Sequence, residues 1–490
     1  VSSSLARTSA VAVSARAQEA PYVHARWDGM RTALAGLPHC ELGHRLTGGD
    51  GVYCTWDWDG KELSARTDRF GCYPVYYFVR GGDVALSPSI PRLLRLGAPS
   101  TLDVPALALF LRLGYFVGED TPFEAIRALP PGARFRWTEG RLEVSGGYVI
   151  PPPQRMAREA AADCYAVLFR AAVERRLPPG PFALPLSGGR DSRHMLLELD
   201  RMGCRPAFCV TVLHYPPRDN QDAQIAREVA AWARVPHVVL GQAERRFAAE
   251  VRKIWATSFC ADEHAQFLAL ADFLAGRVRT SYDGIGGGVL SGYIPGLRRP
   301  ERQAEELLYG NEEEIARLLV PSMYRRMSRA VALDRLAAEL RLHEAAAYPV
   351  SSFWFWTRTR REVALVPYGI MSGIPTVYSP FLDHALYDFL ASLDSSVRDQ
   401  RLHEDVLRRA FPHSPPIPFE GPPRWRRSRR QSAQFRWDFT GHVLRHRPGR
   451  LTRPSWLSRP VLDVLVHRGG FDLTALYLFE LERLVEGDLA

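Results

Sequence analysis

The chain has 490 residues, 46% of them apolar and 24% charged, with a formal net charge of +9. That composition excludes an intrinsically disordered chain and fits a globular protein of roughly two to four domains, since single cores rarely grow past about 250–300 residues. No stretch approaches ~20 consecutive apolar residues, so no helical membrane span is expected; seven cysteines without a C-x-x-C pair predict neither a disulfide framework nor a zinc site and fit a reducing cytoplasm.

Residues 1–20 are small and polar, with no acid before Glu19, and read as a flexible leader; the run Ala10-Val11-Ala12-Val13 is too short for a signal core. Residues 41–150 read as β-rich. Runs such as Val52–Trp58 and Val75–Val79 are broken by turn residues, and Arg80-Gly81-Gly82-Asp83 predicts a hairpin loop. Leu129-Pro130-Pro131-Gly132 is expected to close a helix-like segment and open a strand pair. The prolines Pro151–Pro153 read as a linker between a front domain over 21–150 and a rear domain over 155–490.

From residue 155 the pattern predicts helix Glu159–Arg176, strand Phe182–Leu186, a Ser-Gly-Gly loop and helix Arg193–Arg201. Strand Ala207–Leu213, helix Asp222–Ala233 and strand His237–Leu240 follow. Alternating strands and helices predict a parallel α/β sheet. Beyond residue 300 the pattern is mostly helical, with a Pro/Arg-rich stretch at 411–430 expected to be a mobile loop. Residues 401–450 hold 12 Arg, no Lys and 4 Asp+Glu, a basic concentration that suits ATP phosphates, an acidic substrate, nucleic acid or a solvated face.

The sharpest local feature is Pro185-Leu186-Ser187-Gly188-Gly189-Arg190-Asp191-Ser192, between a predicted strand and a predicted helix. Glycines let the backbone approach an anion, and a helix N-terminus points N–H groups and its positive dipole end at it. Ser187 and Ser192 add hydroxyl donors. Asp191 beside a phosphate makes sense with a divalent cation between them, so the string points to pyrophosphate and Mg²⁺. No G-x-x-x-x-G-K-[ST] loop occurs.

The string S-G-G-x-D-S resembles the pyrophosphate loop of ATP-pyrophosphatase enzymes, and further segments resemble asparagine synthetase and its relatives. Asp68–Tyr77 (DRFGCYPVYY) is similar to a strand pair of that family's glutaminase-like domain, and Phe110–Gly118, Thr121 and Leu129–Gly132 to the helix and turn after it. Asn220-Gln221-Asp222 with Ala226, and Ser379-Pro380-Phe381-Leu382-Asp383-His384, resemble segments of the synthetase domain. The resemblance implies a shortened N-terminal-nucleophile-type (Ntn-type) β-sandwich, followed by an adenine-nucleotide α-hydrolase-like parallel-sheet synthetase domain. It implies ATP and Mg²⁺ as ligands, with Ser187, Gly188, Gly189, Asp191 and Ser192 around pyrophosphate and metal, and Val210 and Leu213 near adenine.

Departures from the family matter as much. Val1 stands first where such glutaminases carry a nucleophilic cysteine, Cys40 is the first cysteine, and no N-G-E-x-Y-N string precedes the Asp50-Gly51 pair, so glutaminase chemistry is expected to be lost. The second metal motif reads Tyr282-Asp283-Gly284-Ile285-Gly286-Gly287-Gly288-Val289, with Gly288 and Val289 in place of its carboxylates. Asp283 either replaces them as a cation ligand or caps the turn. Thr376 stands where the family's basic glutamate is, which argues against aspartate as the acid. The late phosphate-binding lysine is missing, and Arg426, Arg427, Arg429 and Arg430 offer replacements, Arg426 and Arg427 being the catalytic candidates. Tyr348, Tyr368 and His343 are candidate proton acceptors, against readings of Tyr368 as core and His343 as helix surface; the run Phe353–Trp356 reads as core.

The expectation is therefore an ATP-dependent, AMP-forming amide ligase without glutaminase activity, acting on a small molecule or peptide that carries a carboxylate and an amine. This resembles the beta-lactam synthetases and lasso-peptide cyclases; ammonia-dependent asparagine synthesis is a further reading. A pseudoenzyme keeping the fold as a binding partner is the alternative from another class. A homodimer or a pathway partner protein is compatible with either, and nucleic acid is disfavoured.

Overall fold

The computed structural model describes residues 20–213, 220–243, 245–292, 303–308, 310–414, 416–421, 429–446, 451–452 and 471–486. The leader, Arg426 and Arg427 lie outside them. Among the described residues, no helix is long and apolar enough to cross a membrane.

Ten strands precede residue 150: β1 Val23–Trp27, β2 Thr32–Gly36, β3 His39–Arg45, β4 Gly51–Trp58, β5 Glu62–Thr67, β6 Tyr76–Arg80, β7 Asp83–Ser87, β8 Ile126–Ala128, β9 Arg134–Thr138 and β10 Arg141–Ser145. They form two antiparallel sheets, ordered β2-β1-β7-β6-β8 and β10-β9-β5-β4-β3. Alternation explains their packing: in β9 Phe135 and Trp137 are buried while Arg134 and Arg136 are exposed. Val23, Ala25, Trp56, Leu63, Leu86 and Trp137 meet in one apolar cluster between the sheets. The predicted hairpin at Arg80–Asp83 is present, with Arg80 paired to Asp83 and Gly81 at φ +58 in the two-residue loop. Two expectations change here. Residues 23–40, ahead of the stretch read as β-rich, supply β1, β2 and the start of β3, and the segment before Leu129 is β8 rather than a helix. Three residues are too few to carry a readable period.

The second half holds a five-stranded parallel sheet of β11 Phe182–Pro185, β12 Phe208–Val212, β13 His237–Leu240, β14 Thr280–Tyr282 and β15 Thr376–Tyr378, in the order β13-β12-β11-β14-β15. The helices Arg158–Glu174, Asp191–Arg201 and Gln221–Trp232 stand within two residues of their predicted bounds. The loop's helix begins at Asp191 rather than Arg193, which puts Asp191 and Ser192 in its first turn. Two widened π-helical segments, Phe355–Val363 and Val366–Ile370, stand between β14 and β15 in the chain; Ala364 N donates to Thr359 O (2.9 Å) and Met371 N to Val366 O (2.9 Å).

The halves share their interior. Val52, Phe70 and Cys72 belong to the cluster built around the parallel sheet, and the front helix Val104–Leu113 packs into a second cluster with Trp255, Leu336 and Leu476. Arg360 donates to Gly118 O (3.1 Å) and Leu129 O (2.8 Å), and Arg361 to Asp120 O (2.6 Å), so the π-helical segment reaches the front half through two buried guanidinium groups.

Candidate active site

In chain order the rear strands run outward from β11 through β12 to β13, and then restart on its other side at β14. Side by side, β11 and β14 therefore mark the point where the winding reverses, and open α/β sheets bind ligands in the crevice at the carboxyl ends of such a pair. Ser187–Ser192 follows β11 and Asp283–Gly287 follows β14, so both loops open into that crevice. They are in contact: a Cβ at Gly284 would sit 3.1 Å from Asp191 Cβ, and one at Gly287 2.5 Å from Asp191 Cγ. The glycines make room for the carboxylate.

Within the first loop, Ser187 N donates to Ser192 Oγ (3.0 Å), the two serine hydroxyls are 3.0 Å apart, and Gly189 N donates to Ser187 Oγ (3.2 Å). Gly188 N donates to Asp222, at the start of the next helix, and Glu420 N donates to Gly188 O (3.0 Å). The loop is thus held in shape by its own hydroxyls and by Asp222. No side chain caps the helix Asp191–Arg201, so the N–H groups of its first turn remain available to an anion.

Behind Asp191 lies a buried histidine pair. His403 Nδ1 is 3.2 Å from Asp191 Oδ1, and His403 Nε2 is 3.0 Å from His194 Nδ1. Burial holds His194 well below the usual imidazole range, and the ring stacks on Phe169 with centroids 3.9 Å apart. Glu198 Oε1 is 3.9 Å from His194 Nε2. Ser291 Oγ lies 3.5 Å from His403 Nδ1 and 2.9 Å from Tyr165 OH. No local signal in the sequence marks His403; only the packing of the helix Gln400–Ala410 brings it to the loop. The same helix supplies Glu404, which pairs with Arg190. Arg193 donates to Ile417 O (2.7 Å) and Pro418 O (2.8 Å) and stacks over Phe419, so part of the Pro/Arg-rich stretch expected to be a mobile loop is seated against the site. A helix, Arg429–His446, begins in that stretch and contains Arg429 and Arg430.

Asp283 Oδ1 accepts from Ile285 N (2.8 Å), which is the turn-capping arrangement. Burial pushes its carboxyl up to about 6, and the charge of Asp191 adds to the rise while His264 opposes it. Val210 is buried in the core, so of the two residues expected near adenine only Leu213, just past β12, is partly exposed. Gly288 and Val289 lie in the short helix Gly287–Leu290. Thr376 opens β15 beside Thr280, at the end of the sheet away from the loop. Tyr368 is buried, its hydroxyl 2.7 Å from Ser379 Oγ. His343, read as either a proton acceptor or a surface residue, is buried, with Nδ1 3.0 Å from Ser352 Oγ. Glu263, His264 and Glu362 also cluster within 4.8 Å, but Arg358 pairs with both glutamates (2.9 Å each).

The front half shows no poised thiol among its described residues. Burial pushes Cys40 up to about 11 and raises Cys54 and Cys72 further. Asp50 accepts from Arg176 (2.7 Å), whose other nitrogen donates to Asp383 (3.0 Å). The carboxylate that by resemblance belongs to a glutamine site is engaged by the rear half. No curated protein matches the chain. The glutamine amidotransferase domain family matches residues 40–148, the stretch from β3 to just past β10, and this part of the chain is a glutamine amidotransferase-like domain.

Proposed function

We propose that the chain is an asparagine-synthetase-type, AMP-forming amide ligase. ATP binds at Ser187–Ser192, a substrate carboxylate attacks the α-phosphorus to give an acyl-adenylate with loss of pyrophosphate, and an amine displaces AMP to give the amide. The observation that carries this reading is Asp191, a carboxylate in the first turn of an uncapped helix at the reversal point of a parallel sheet. An acid there opposes anion binding unless a cation joins it to the anion.

Mg²⁺ suits such donors: Asp191 opens the helix after β11 and Asp283 follows β14, so two carboxylate residues belong to the loops of one crevice. Bound there, Mg²⁺ would neutralise phosphate charge. The chain's own residues do the rest. First-turn N–H groups and the Ser187 and Ser192 hydroxyls hold phosphate oxygens, Asp222 fixes Gly188, and His403 orients Asp191. With the front cysteines held as thiols, the amine comes from the substrate or from free ammonia rather than from glutamine. A binding protein that keeps the fold is the second reading, favoured by Gly288 and Val289 at the second metal motif.

Calorimetry with Mg-ATP separates the two. The parent is expected to bind, and Asp191→Asn to bind at least ~10-fold more weakly, about 1.4 kcal/mol, and to lose ATP–pyrophosphate exchange. No binding by the parent selects the second reading, and unchanged exchange in the variant removes Asp191 from the metal site.

A further inference from the structure

His194 stands three residues after Asp191 on the helix Asp191–Arg201, and residues so spaced are neighbours on a helix surface. The His403 ring bridges them, with Nδ1 3.2 Å from Asp191 Oδ1 and Nε2 3.0 Å from His194 Nδ1. His194 is fully buried and clamped: it stacks on Phe169 (3.9 Å between centroids) and meets Phe411 edge-on (6.0 Å). Burial holds it well below the usual imidazole range, so the ring carries one proton.

The neighbours of each nitrogen decide where that proton sits. With the proton on His194 Nε2, Nδ1 is a bare acceptor, and a neutral His403 must donate to it from its own Nε2. The Nδ1 lone pair of His403 then faces the Asp191 carboxylate at 3.2 Å. With the proton on His194 Nδ1, that N–H donates to His403 Nε2, and His403 presents Nδ1–H to Asp191. The second arrangement leaves His194 Nε2 bare, 3.9 Å from Glu198 Oε1 and without a hydrogen-bond partner among the described residues. Glu198 already accepts from Arg170 and Arg201 (3.3 Å each), so its charge is offset. Repulsion at 3.2 Å outweighs that longer contact. Ser291 Oγ is farther from His403 Nδ1 (3.5 Å) than Asp191 is, and it is engaged with Tyr165 OH (2.9 Å).

We propose that His194 is a positioning residue for the Asp191 loop: its Nδ1–H fixes the ring proton of His403 on Nδ1, and His403 in turn holds the Asp191 carboxylate. A partner one step behind a ligand sets ring orientation and tautomer, and its loss is felt at the ligand. The placement of the protons needs no nucleotide; its consequence for Mg-ATP rests on the function proposed above.

Long-range proton–nitrogen NMR of the full chain, labelled with ¹⁵N at histidine and without ATP, reads the tautomer at about pH 8, above the ordinary imidazole range. The signals of His403 are those missing from His403→Gln. The parent is expected to show Nδ1–H and a bare Nε2 at His403. His194→Phe keeps an aromatic ring against Phe169 but has no donor, and should leave His403 a mixture of tautomers. His194→Asn gives up the ring, yet its amide nitrogen reaches the place of Nδ1, and it should restore the single tautomer. A residue that serves packing alone gives the opposite order. In Mg-ATP calorimetry, His194→Phe should bind ~10-fold more weakly than the parent and His194→Asn within ~3-fold of it. A parent His403 protonated on Nε2 or on both nitrogens, or an unchanged tautomer in His194→Phe, would overturn the assignment, as would equal Mg-ATP binding by parent and His194→Phe. A parent with the expected tautomer that binds no Mg-ATP supports the proton placement and removes the nucleotide reading instead, so the two failures are told apart.

Discussion

At the scale of single residues, the DRFG segment shows how a family-like string becomes physical. Phe70 is fully buried and makes edge contacts with Phe355 and Tyr387, while Arg69 pairs with Asp388. Asp68 is also fully buried, accepting from Phe70 N (2.9 Å) and Tyr53 N (3.2 Å). Burial pushes its carboxyl up to about 6, with the backbone hydrogen bonds opposing the rise. A carboxyl whose folded value is raised binds more protons in the native state than in the unfolded chain. Its contribution to stability is therefore full below about pH 4 and is lost as pH rises through about 6, by on the order of 3 kcal/mol. Asp68→Asn lacks this titration. Urea melts of parent and variant should show their stability gap narrowing by roughly 2–3 kcal/mol from pH 4 to pH 7; a constant gap contradicts the assignment.

At the scale of elements, the junction between the halves is polar as well as apolar. Arg176 follows the helix Arg158–Glu174 and is 1% exposed, between Asp50 at the β3–β4 turn and Asp383 at the start of the helix His384–Ser392. Asp383 also caps that helix, accepting from Ala385 N (3.1 Å) and Leu386 N (3.2 Å). Removing one member of a buried ion network leaves the others desolvated and unpaired, which costs more than the network contributes. Arg176→Met is expected to lower stability by about 3–5 kcal/mol in urea unfolding. Arg175 still contacts Asp383 in the variant, so Asp50 bears most of the loss. A change under about 1 kcal/mol would mean that the network is solvent-screened.

At the scale of the whole molecule, two of the three apolar clusters include residues from both halves. A chain with a core divided at Pro151–Pro153 would unfold in two steps, whereas shared cores couple the halves. Scanning calorimetry should give one transition that takes the antiparallel sheets and the parallel sheet together. Two resolved transitions would show that the shared clusters contribute little to the stability of either half.

Much of the candidate site's local geometry was legible in the sequence because it lies within a few consecutive residues. Ser187-Gly188-Gly189 and Asp191-Ser192 stand within one strand–loop–helix unit, and the spacing of glycines and hydroxyls over a few residues determines how such a loop can hold an anion. The longer helices and the strands around them were equally plain, since their periods extend over enough residues to be read. What the chain order could not supply was adjacency. β14 and β15 are three residues each, too short to carry a period, yet they place Asp283 beside the loop and complete the sheet. His403 and Arg176 find their partners among residues far away in the chain. The sequence by itself determined the loop and the alternation of strands and helices; only the tertiary structure decided which buried charges found partners, because pairing depends on distance in space and on the exclusion of water.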